Sequence, residues 1–415
     1  YRDERLDRAA PPSQPTVIPT AVGAGSPIKH IIYVIRENRT YDQVLGDLGK
    51  GDGDPKLALF GRKVTPNAHA IAEQFVLLDN LYCDGEVSVD GHSWSNAAYA
   101  SDYTEKTWPS NYAGRSDVKP APAYYAPAGY TWDLARRKGL TYRNYGEFGR
   151  RASTSEKFEP APGADGLWGH LNTDYVGFEA RDRDNLAVFL KDFDAYEANF
   201  DSPDRNKRLP NFITMTMGED HTRGAAPNAF TPAAMVADND WAIGQLVERV
   251  SHSKYWASTA IFIIEDDAQD GADHVDARRT VGLVISPYIK RGTVDSTQYS
   301  TSSFLRTMEL LLGLPPMSQY DAAAQPLYAA FGAQPDLSPY TARAAEIDLM
   351  ARNPAAGPGA QESAAMDFSG PDRAPMRKLN EIIWKAVNGP DARIPTPVHR
   401  FRALHDAADA DDDDE

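Results

Sequence analysis

The sequence predicts an α/β protein with three layers, in which helices cover both faces of a mainly parallel central sheet. Two observations lead to this prediction: short apolar runs alternate with helix-like segments along the chain, and those runs lack polar alternation. Residues 31–35 are the clearest example, since an unbroken apolar run of this length is typical of a strand buried on both faces. With 415 residues, 42% of them hydrophobic, the chain can bury one large core or two ordinary ones.

The other elements follow from the same periodic patterns. Further strands are predicted over residues 75–79, 140–145, 212–217, 258–264 and 281–286. Helices are predicted over residues 40–45, 65–74, 132–138, 232–251, 302–312 and 377–387, and another begins near Ser88. Residues 104–130 are rich in Tyr, Pro and Ala and are predicted to be irregular. Alternation of this kind indicates parallel strands joined by crossover helices.

Shifts in composition predict the domain organisation. Residues 1–27 are rich in proline and glycine, which indicates a linker or an extended arm. Residues 28–320 are predicted to form the main domain, with an insertion over about 104–208 that acts as a lid on the loop edge of the sheet. Residues 321–402 predict a C-terminal extension packed on the core, and the acidic residues 403–415 predict a disordered tail.

The charge balance and the single cysteine exclude several classes of protein. The 43 basic residues against 59 acidic ones, a formal net charge of −16, argue against a broad surface for nucleic acid. Cys83 has no partner for an intramolecular disulfide, and a thiolate zinc cluster is excluded. No apolar run approaches the roughly 18 residues of a membrane span. The polar segment that starts at Tyr1 does not read as a signal peptide, and we expect a processed or trimmed start.

Polar side chains follow three of the predicted strands directly. They are Glu37 and Asn38 after the first strand, Asp220 and His221 after the strand at 212–217, and Asp266 and Asp267 after the strand at 258–264. Because parallel strands share their C-terminal edge, we expect these side chains to converge there. Carboxylates packed this closely repel one another, and a divalent cation is the usual reason for a protein to tolerate the repulsion. The sequence therefore predicts a metal site at this edge.

Two further groups of residues are candidates for the same site. Ser88 lies near a predicted helix start, where free backbone N–H groups favour an anion, and His92 follows one turn later. Asp273 and His274 follow closely enough to return to the site as candidate ligands of a second ion. A loop histidine bonded to the backbone is the alternative interpretation of His274.

Four motifs resemble a known family of enzymes. They are Glu37-Asn38-Arg-Thr-Tyr-Asp42, Thr65-Pro-Asn67, Ser88-Val-Asp-Gly-His92-Ser-Trp94, and Asp266-Asp267 followed by Asp273-His274-Val275. Over roughly residues 28–320 the chain looks like the bacterial phosphoesterases that include phospholipases C and certain acid phosphatases, within the alkaline-phosphatase-like superfamily. It is most similar to a phosphoesterase domain often found behind a β-propeller. The resemblance implies an upstream β-propeller domain and an extracytoplasmic location, periplasmic or secreted.

The resemblance also implies roles for individual residues. Glu37, Asn38, Asp266 and Asp267 match the family's metal ligands; Ser88 matches a nucleophile that also touches the metal; His92 and His221 match phosphate-contacting or acid/base histidines. The implied cofactor is a divalent ion: Ca, Mg, Mn or Zn. This chain departs from the family's phospholipases at the nucleophile loop, where they have Thr followed by Asn/Gln-Pro-Asn-Arg. Ser93 is therefore the alternative nucleophile.

The predicted function is metal-dependent hydrolysis of phosphoric esters, as a phosphatase or a phospholipase C-like phosphodiesterase, through a phosphoserine intermediate. The substrate class is a small-molecule or lipid phosphate ester. A sulfatase-like hydrolase is one alternative, although the segment after Cys83 lacks the Pro and Arg of the sulfatase motif Cys/Ser-x-Pro-x-Arg. A non-catalytic cation-binding surface module with the same fold is the other. Ser88 beside His92 favours turnover.

Overall fold

A computed structural model describes residues 8–116, 122–370 and 372–399 of the chain. The predicted acidic tail, residues 403–415, lies outside the described residues, as do the first seven residues of the predicted arm. No helix in the described ranges combines the length and the apolar character that crossing a membrane requires.

The described chain contains short strands and helices in alternation. The strands are β1 (His30–Arg36), β2 (Val76–Leu78), β3 (Leu81–Tyr82), β4 (Tyr142–Tyr145), β5 (Gly149–Arg151), β6 (Phe158–Pro160), β7 (Phe212–Thr216), β8 (Thr259–Glu265), β9 (Gly282–Ile285), β10 (Thr293–Asp295) and β11 (Tyr299–Ser300). The α-helices are α1 (Tyr41–Leu45), α2 (Pro66–Gln74), α3 (Ser88–Ala97), α4 (Asp102–Asn111), α5 (Thr131–Arg137), α6 (Asp182–Ala198), α7 (Pro232–Ser251), α8 (Thr301–Leu312), α9 (Gln319–Ala323), α10 (Ala360–Ala364) and α11 (Met376–Asn388).

The central sheet has five strands in the order β4-β7-β1-β8-β9. β1 lies in the middle and is parallel to both neighbours: Ile31 pairs with Phe212 of β7 on one side and with Ala260 of β8 on the other. β4 is parallel to β7, whereas β9 is antiparallel to β8. All residues of β7 and β8 are buried, so both faces of the sheet are covered. The predicted α/β fold with a mainly parallel central sheet is therefore confirmed.

The buried run at residues 75–79 forms a strand, as predicted, but it does not join the central sheet. β2 pairs with β10 in a separate parallel sheet of two strands. β3 and β11 form a second such pair directly before α3 and α8. These small sheets bring the start of α3 close to the C-terminal edge of the central sheet.

The region over residues 104–208 holds more regular structure than the composition suggested. The prediction that residues 104–130 are irregular is wrong for α4, which extends to Asn111. α6 was not predicted; it has 17 residues and buries Leu186, Phe189 and Phe193, whose spacing places them on one face of the helix. β4 also lies within this range and belongs to the central sheet.

The C-terminal part of the chain packs on the core through α11. Leu379, Ile383 and Trp384 of this helix join Phe60 and Val236 in a second apolar cluster. The amphipathic spacing of these residues predicts this docking, because the apolar positions recur on one face. The segment just before α11 consequently passes close to the N-terminus of α3.

Candidate active site

The ends of β1, β7 and β8 meet at one edge of the sheet, as the sequence predicted. Glu37 directly follows β1, and its backbone N–H donates to Asp220 Oδ1 over 3.1 Å. Asp266 directly follows β8, and its N–H donates to the Arg36 carbonyl over 3.0 Å. Parallel pairing of adjacent strands therefore places the three polar strand ends side by side.

Asn38 turns the chain sharply at this edge. Its φ is +67°, in the left-handed region that asparagine tolerates better than most residues. In this conformation its amide Nδ2 donates to Asp267 Oδ1 over 2.7 Å and lies 3.4 Å from Ser88 Oγ. The residue type at position 38 thus matches both the backbone bend and the polar contacts.

Ser88 lies at the centre of the cluster, at the first position of α3. Its Oγ is 3.2 Å from Glu37 Oε2 and 3.1 Å from Asp267 Oδ2. Gln269 Nε2 donates to the same Oγ over 3.1 Å. A hydroxyl has one proton, so only one of the two carboxylates accepts it at a time, and either can act as its base.

The backbone N–H groups at the start of α3 are bonded to a carboxylate from the C-terminal segment. Asp372 accepts from Ser88 N over 3.0 Å and from Val89 N over 2.8 Å, one bond to each oxygen. Burial raises the pKa of Asp372 to about 6, although these two hydrogen bonds lower it. This carboxylate satisfies helix donors that would otherwise have no partner.

His92 is held by carboxylates at both ring nitrogens. Its Nε2 lies 2.8 Å from Glu37 Oε1 and 3.5 Å from Asp266 Oδ2, and its Nδ1 lies 2.8 Å from Glu147 Oε1. Burial alone would lower the pKa of His92, but the charges of Glu147 and Asp266 and the hydrogen bonds to Glu147 and Glu37 raise it well above its usual value.

The carboxylates of the cluster are buried without enough positive charge to balance them. Burial raises the pKa of both Asp266 and Asp267 well above the usual range, and neighbouring carboxylates, Glu37 among them, raise it further. Both oxygens of Asp266, and Asn38 Oδ1, are buried and have no hydrogen-bond partner among the described residues. Orphaned oxygens on a carboxylate and an amide fit a divalent cation, which takes such ligands.

His221 lies at the same sheet edge but apart from these contacts. Its Nδ1 lies 2.9 Å from the Thr222 carbonyl, and its ring meets the ring of Phe368 edge-on at 6.0 Å. In the described part of the chain, Nε2 has no hydrogen bond and none joins the ring to Ser88. The preceding Asp220 forms a buried ion pair with Arg36 at 3.0 Å.

Asp273 and His274 form a separate group with Asp42. His274 Nδ1 lies 2.6 Å from Asp42 Oδ2, so the histidine has a carboxylate partner as well as its place in a loop. The guanidinium of Arg279 lies 3.0 Å from Asp273 and 3.1 Å from Asp42. A positive charge of the chain itself therefore already balances Asp273, the predicted carboxylate ligand of a second ion, together with Asp42, which was not predicted as a ligand.

The structure brings together most of the predicted site residues, namely Glu37, Asn38, Ser88, His92, Asp266 and Asp267. Three further members of the cluster were not predicted. Gln269 stands close enough to Asp267 in sequence to have been included. Glu147 and Asp372 carry no such signal, since each is one of 59 acidic residues and reaches the site only through the fold.

The sequence model of the phosphoesterase family matches residues 50–315, well over half of the 415 residues. The chain belongs to the phosphoesterase family. The match starts after the Glu37–Asp42 motif and includes Ser88, His92 and the end of β8. It confirms the family resemblance of the sequence motifs and identifies the chain as a member of a hydrolase family.

Solved structures that the chain matches come from bacteria and from human. They include a protein in the alkaline phosphatase superfamily from Vibrio parahaemolyticus, 16% identical, with a TM-score of 0.47 over 73% of this chain and 70% of that chain. The lipoteichoic acid synthase from Listeria monocytogenes is 12% identical, with a TM-score of 0.44 over 90% of this chain and 95% of that chain. Human ectonucleotide pyrophosphatase/phosphodiesterase 5 is 10% identical, with a TM-score of 0.41 over 70% of this chain and 96% of that chain. No curated protein matches the chain.

Proposed function

We propose that this member of the phosphoesterase family is a metal-dependent hydrolase of phosphoric esters, with Ser88 as the nucleophile. The observation that supports this most strongly is the surroundings of Ser88 Oγ, which lies between Glu37 Oε2 at 3.2 Å and Asp267 Oδ2 at 3.1 Å. A surface serine or a simple helix cap has no need of two buried carboxylates. A nucleophile needs a base beside it, because it must lose its proton to attack phosphorus.

The residues around Ser88 have separate roles in the first step, which is the attack of the serine oxygen on phosphorus. Glu37 or Asp267 takes the hydroxyl proton, and Gln269 Nε2 donates to the oxygen and fixes its direction. Glu37, Asn38, Asp266 and Asp267 would hold a divalent cation, whose positive charge would lower the pKa of the serine hydroxyl and offset charge on the phosphoryl group. The product of this step is a phosphoserine, which water then hydrolyses.

The leaving group needs a proton, and we assign its donation to His221. The alternative, His92, has carboxylates within hydrogen-bonding distance of both ring nitrogens, so neither is free to meet a substrate. His221 bonds through Nδ1 alone, and its Nε2 has no partner among the described residues. It ends the short turn Glu219–His221 that follows β7, at the C-terminal edge of the sheet where Ser88 also lies.

The substrate class we propose is a phosphate ester of a small molecule or a lipid. The test is hydrolysis by the purified protein of a phosphomonoester, a phosphodiester, a phospholipid and an aryl sulfate, with and without a chelator. We expect metal-dependent release from at least one phosphate ester. Turnover of the aryl sulfate alone would overturn the proposal in favour of a sulfatase.

The nucleophile is tested by replacing Ser88. We expect Ser88→Ala to lose several orders of magnitude in kcat, because no covalent intermediate can form. Folding is expected to survive, since a hydroxyl at a helix start contributes at most about 1 to 2 kcal/mol. Circular dichroism and kcat measured on the same preparation check both parts.

Ser93→Ala is the matched control for Ser88→Ala. The Ser93 hydroxyl donates to the Val89 carbonyl of its own helix over 3.2 Å, so it is not directed at the cluster. We expect Ser93→Ala to keep near-normal turnover. Loss of activity in Ser93→Ala with retention in Ser88→Ala would move the nucleophile to Ser93.

A further inference from the structure

We propose that His92 is itself a ligand of the cation through Nε2, and that Glu147 is a positioning residue that fixes the imidazole. The site would then take a transition-metal ion of the Zn²⁺, Mn²⁺ or Co²⁺ class in preference to Mg²⁺ or Ca²⁺. This inference rests on the metal dependence in the proposed function and gives His92, which has no part there in proton donation, the role of a ligand.

The positions of the ligand atoms carry the first step. His92 Nε2 lies 2.8 Å from Glu37 Oε1 and 3.5 Å from Asp266 Oδ2, and one ligand atom from each of the three residues lies within 4.8 Å of the others. Ligands about 2.0 to 2.1 Å from one ion are themselves about 2.9 to 3.4 Å apart, according to whether six or four of them surround it. The three side chains are thus already spaced as neighbours around one small cation.

Asp266 provides an independent sign that a cation belongs there. Its side chain is fully buried, and neither carboxylate oxygen has a hydrogen-bond partner among the described residues. A buried carboxylate with no hydrogen bond and a single ion pair, to His92 Nε2 at 3.5 Å, is costly, because little offsets its desolvation. A cation bound by Asp266, Glu37 and His92 Nε2 would offset this desolvation cost.

The other ring nitrogen of His92, Nδ1, bonds to the buried carboxylate of Glu147. Glu147 is 1% exposed in its side chain, and its Oε1 lies 2.8 Å from His92 Nδ1. The same carboxylate accepts from Asn96 Nδ2 over 3.0 Å and from the hydroxyl of Thr216. A carboxylate bonded to the outer nitrogen is the common support of a metal-ligating histidine, since it fixes the tautomer and the direction of the ring.

The choice of metal follows from the ligand set. Carboxylate and amide oxygens alone would suit Mg²⁺ or Ca²⁺. An imidazole nitrogen among them favours zinc, manganese, cobalt or iron, which bind nitrogen far better than the hard cations do. We therefore expect the prepared, metal-free protein to bind Co²⁺ and Zn²⁺ more tightly than Mg²⁺ by at least about 100-fold.

The test is a metal titration of metal-free protein without any ester present. Co²⁺ binding is followed by its visible absorption bands, and Zn²⁺ and Mg²⁺ affinities are measured by competition. We expect His92→Gln to weaken Zn²⁺ and Co²⁺ binding by about 100-fold or more and to change the Co²⁺ bands, while Mg²⁺ affinity changes little. Glu147→Gln is expected to weaken Zn²⁺ and Co²⁺ binding by about 10- to 100-fold, and Glu147→Ala is expected to weaken it more.

His252→Gln is the matched control, because His252 lies on the surface and its ring bonds, within the described part of the chain, only to the Glu248 carbonyl of its own helix. We expect this variant to change neither the metal affinities nor the Co²⁺ absorption bands. Wild-type affinities and bands in His92→Gln would overturn the proposal. If that variant does not fold, electron spin-echo spectra of the wild-type Mn²⁺ form decide: coupling to an imidazole nitrogen supports the proposal, and its absence overturns it.

The outcomes separate this inference from the proposed function. A protein that hydrolyses no phosphate ester but whose Co²⁺ bands depend on His92 would remove the proposed function and keep the ligand assignment. A protein that hydrolyses a phosphate ester but whose metal affinity is independent of His92 would keep the proposed function and remove the ligand assignment.

Discussion

The carboxylate of Asp372 stands where a phosphoryl group would meet the first backbone N–H groups of α3. It accepts from Ser88 N and Val89 N, and these are the donors that an oxyanion beside Ser88 would use. A substrate must therefore displace this carboxylate or bind in spite of its charge. We expect Asp372→Ala to strengthen inhibition by inorganic phosphate several-fold, while the lost cap costs about 1 kcal/mol of stability.

Asp372→Asn separates the two effects, because the amide keeps an acceptor and removes the charge. An inhibition constant for phosphate that stays the same in both variants would mean that Asp372 is a cap alone. Asp367→Ala serves as the control, since Asp367 pairs with Arg373 at the surface and bonds neither N–H group.

Which site residues could be predicted depends on how each one reaches the site. Glu37, Asn38, Asp266 and Asp267 follow buried strands directly, so a rule about parallel sheets was enough to group them. Glu147 comes from a polar stretch after β4 and Asp372 from a proline-rich segment. Their contacts to His92 and Ser88 depend on the packing of whole segments, and no local pattern encodes that.

At the scale of elements, α3 lies unusually close to the end of β8. A Cβ on Gly91 would lie 2.6 Å from the Asp266 carbonyl oxygen, and a Cβ on Gly85 would lie 2.4 Å from the Gly91 Cα. Neither neighbour is a flexible side-chain end, so a methyl group must push α3 away from the strand. Two glycines thus allow the close approach that brings Ser88 to the carboxylates.

Gly91→Ala tests this packing. Alanine is a better helix former than glycine, and on an exposed helix the replacement would raise the free energy of unfolding by up to about 1 kcal/mol. At Gly91 we expect overpacking to lower it by about 1 to 3 kcal/mol instead. Activity should fall as well, because Asp266 moves. The control is Gly332→Ala, whose methyl group would lie 3.8 Å from Lys290 Cγ and from the Tyr288 carbonyl oxygen, an ordinary contact distance. Equal stability of the two variants in urea denaturation would contradict the packing argument.

The elements themselves were predicted best where the apolar runs were long. β1, β7 and β8 are such runs, and α7 has a proline at its start and apolar residues along one face. α6 was missed because only Leu186, Phe189 and Phe193 mark its buried face among many charged residues. The antiparallel direction of β9 could not be predicted from the sequence either, since an apolar run does not indicate the direction of its strand in the sheet.

At the scale of the whole molecule, the proposed metal site holds three buried carboxylates that repel one another. Glu37, Asp266 and Asp267 are buried together, so removal of a cation leaves their repulsion in the folded state. We expect addition of Zn²⁺ or Mn²⁺ at 100 times its dissociation constant to stabilise the fold by about 2.7 kcal/mol. Calorimetry with and without chelator should show a Tm difference of roughly 3 to 6 °C.

Asp266→Asn is the control for the charge argument. It removes one of the buried charges, so the metal-free variant should melt higher than the metal-free wild type, and the shift on adding metal should nearly vanish. A chelator that leaves the wild-type Tm unchanged would show that the folded protein does not depend on a cation at this place.

The bond between Ser88 and Asp372 joins residues 284 positions apart, which has a consequence for the newly made chain. At about 5 to 20 residues per second, synthesis needs roughly 15 to 60 seconds to pass from the serine to the aspartate. During that interval the strands and α3 can assemble while the two N–H groups at the helix start still face water. A ribosome-bound chain therefore exposes these two N–H groups, beside the proposed nucleophile Ser88, before its own C-terminal segment arrives to accept their hydrogen bonds.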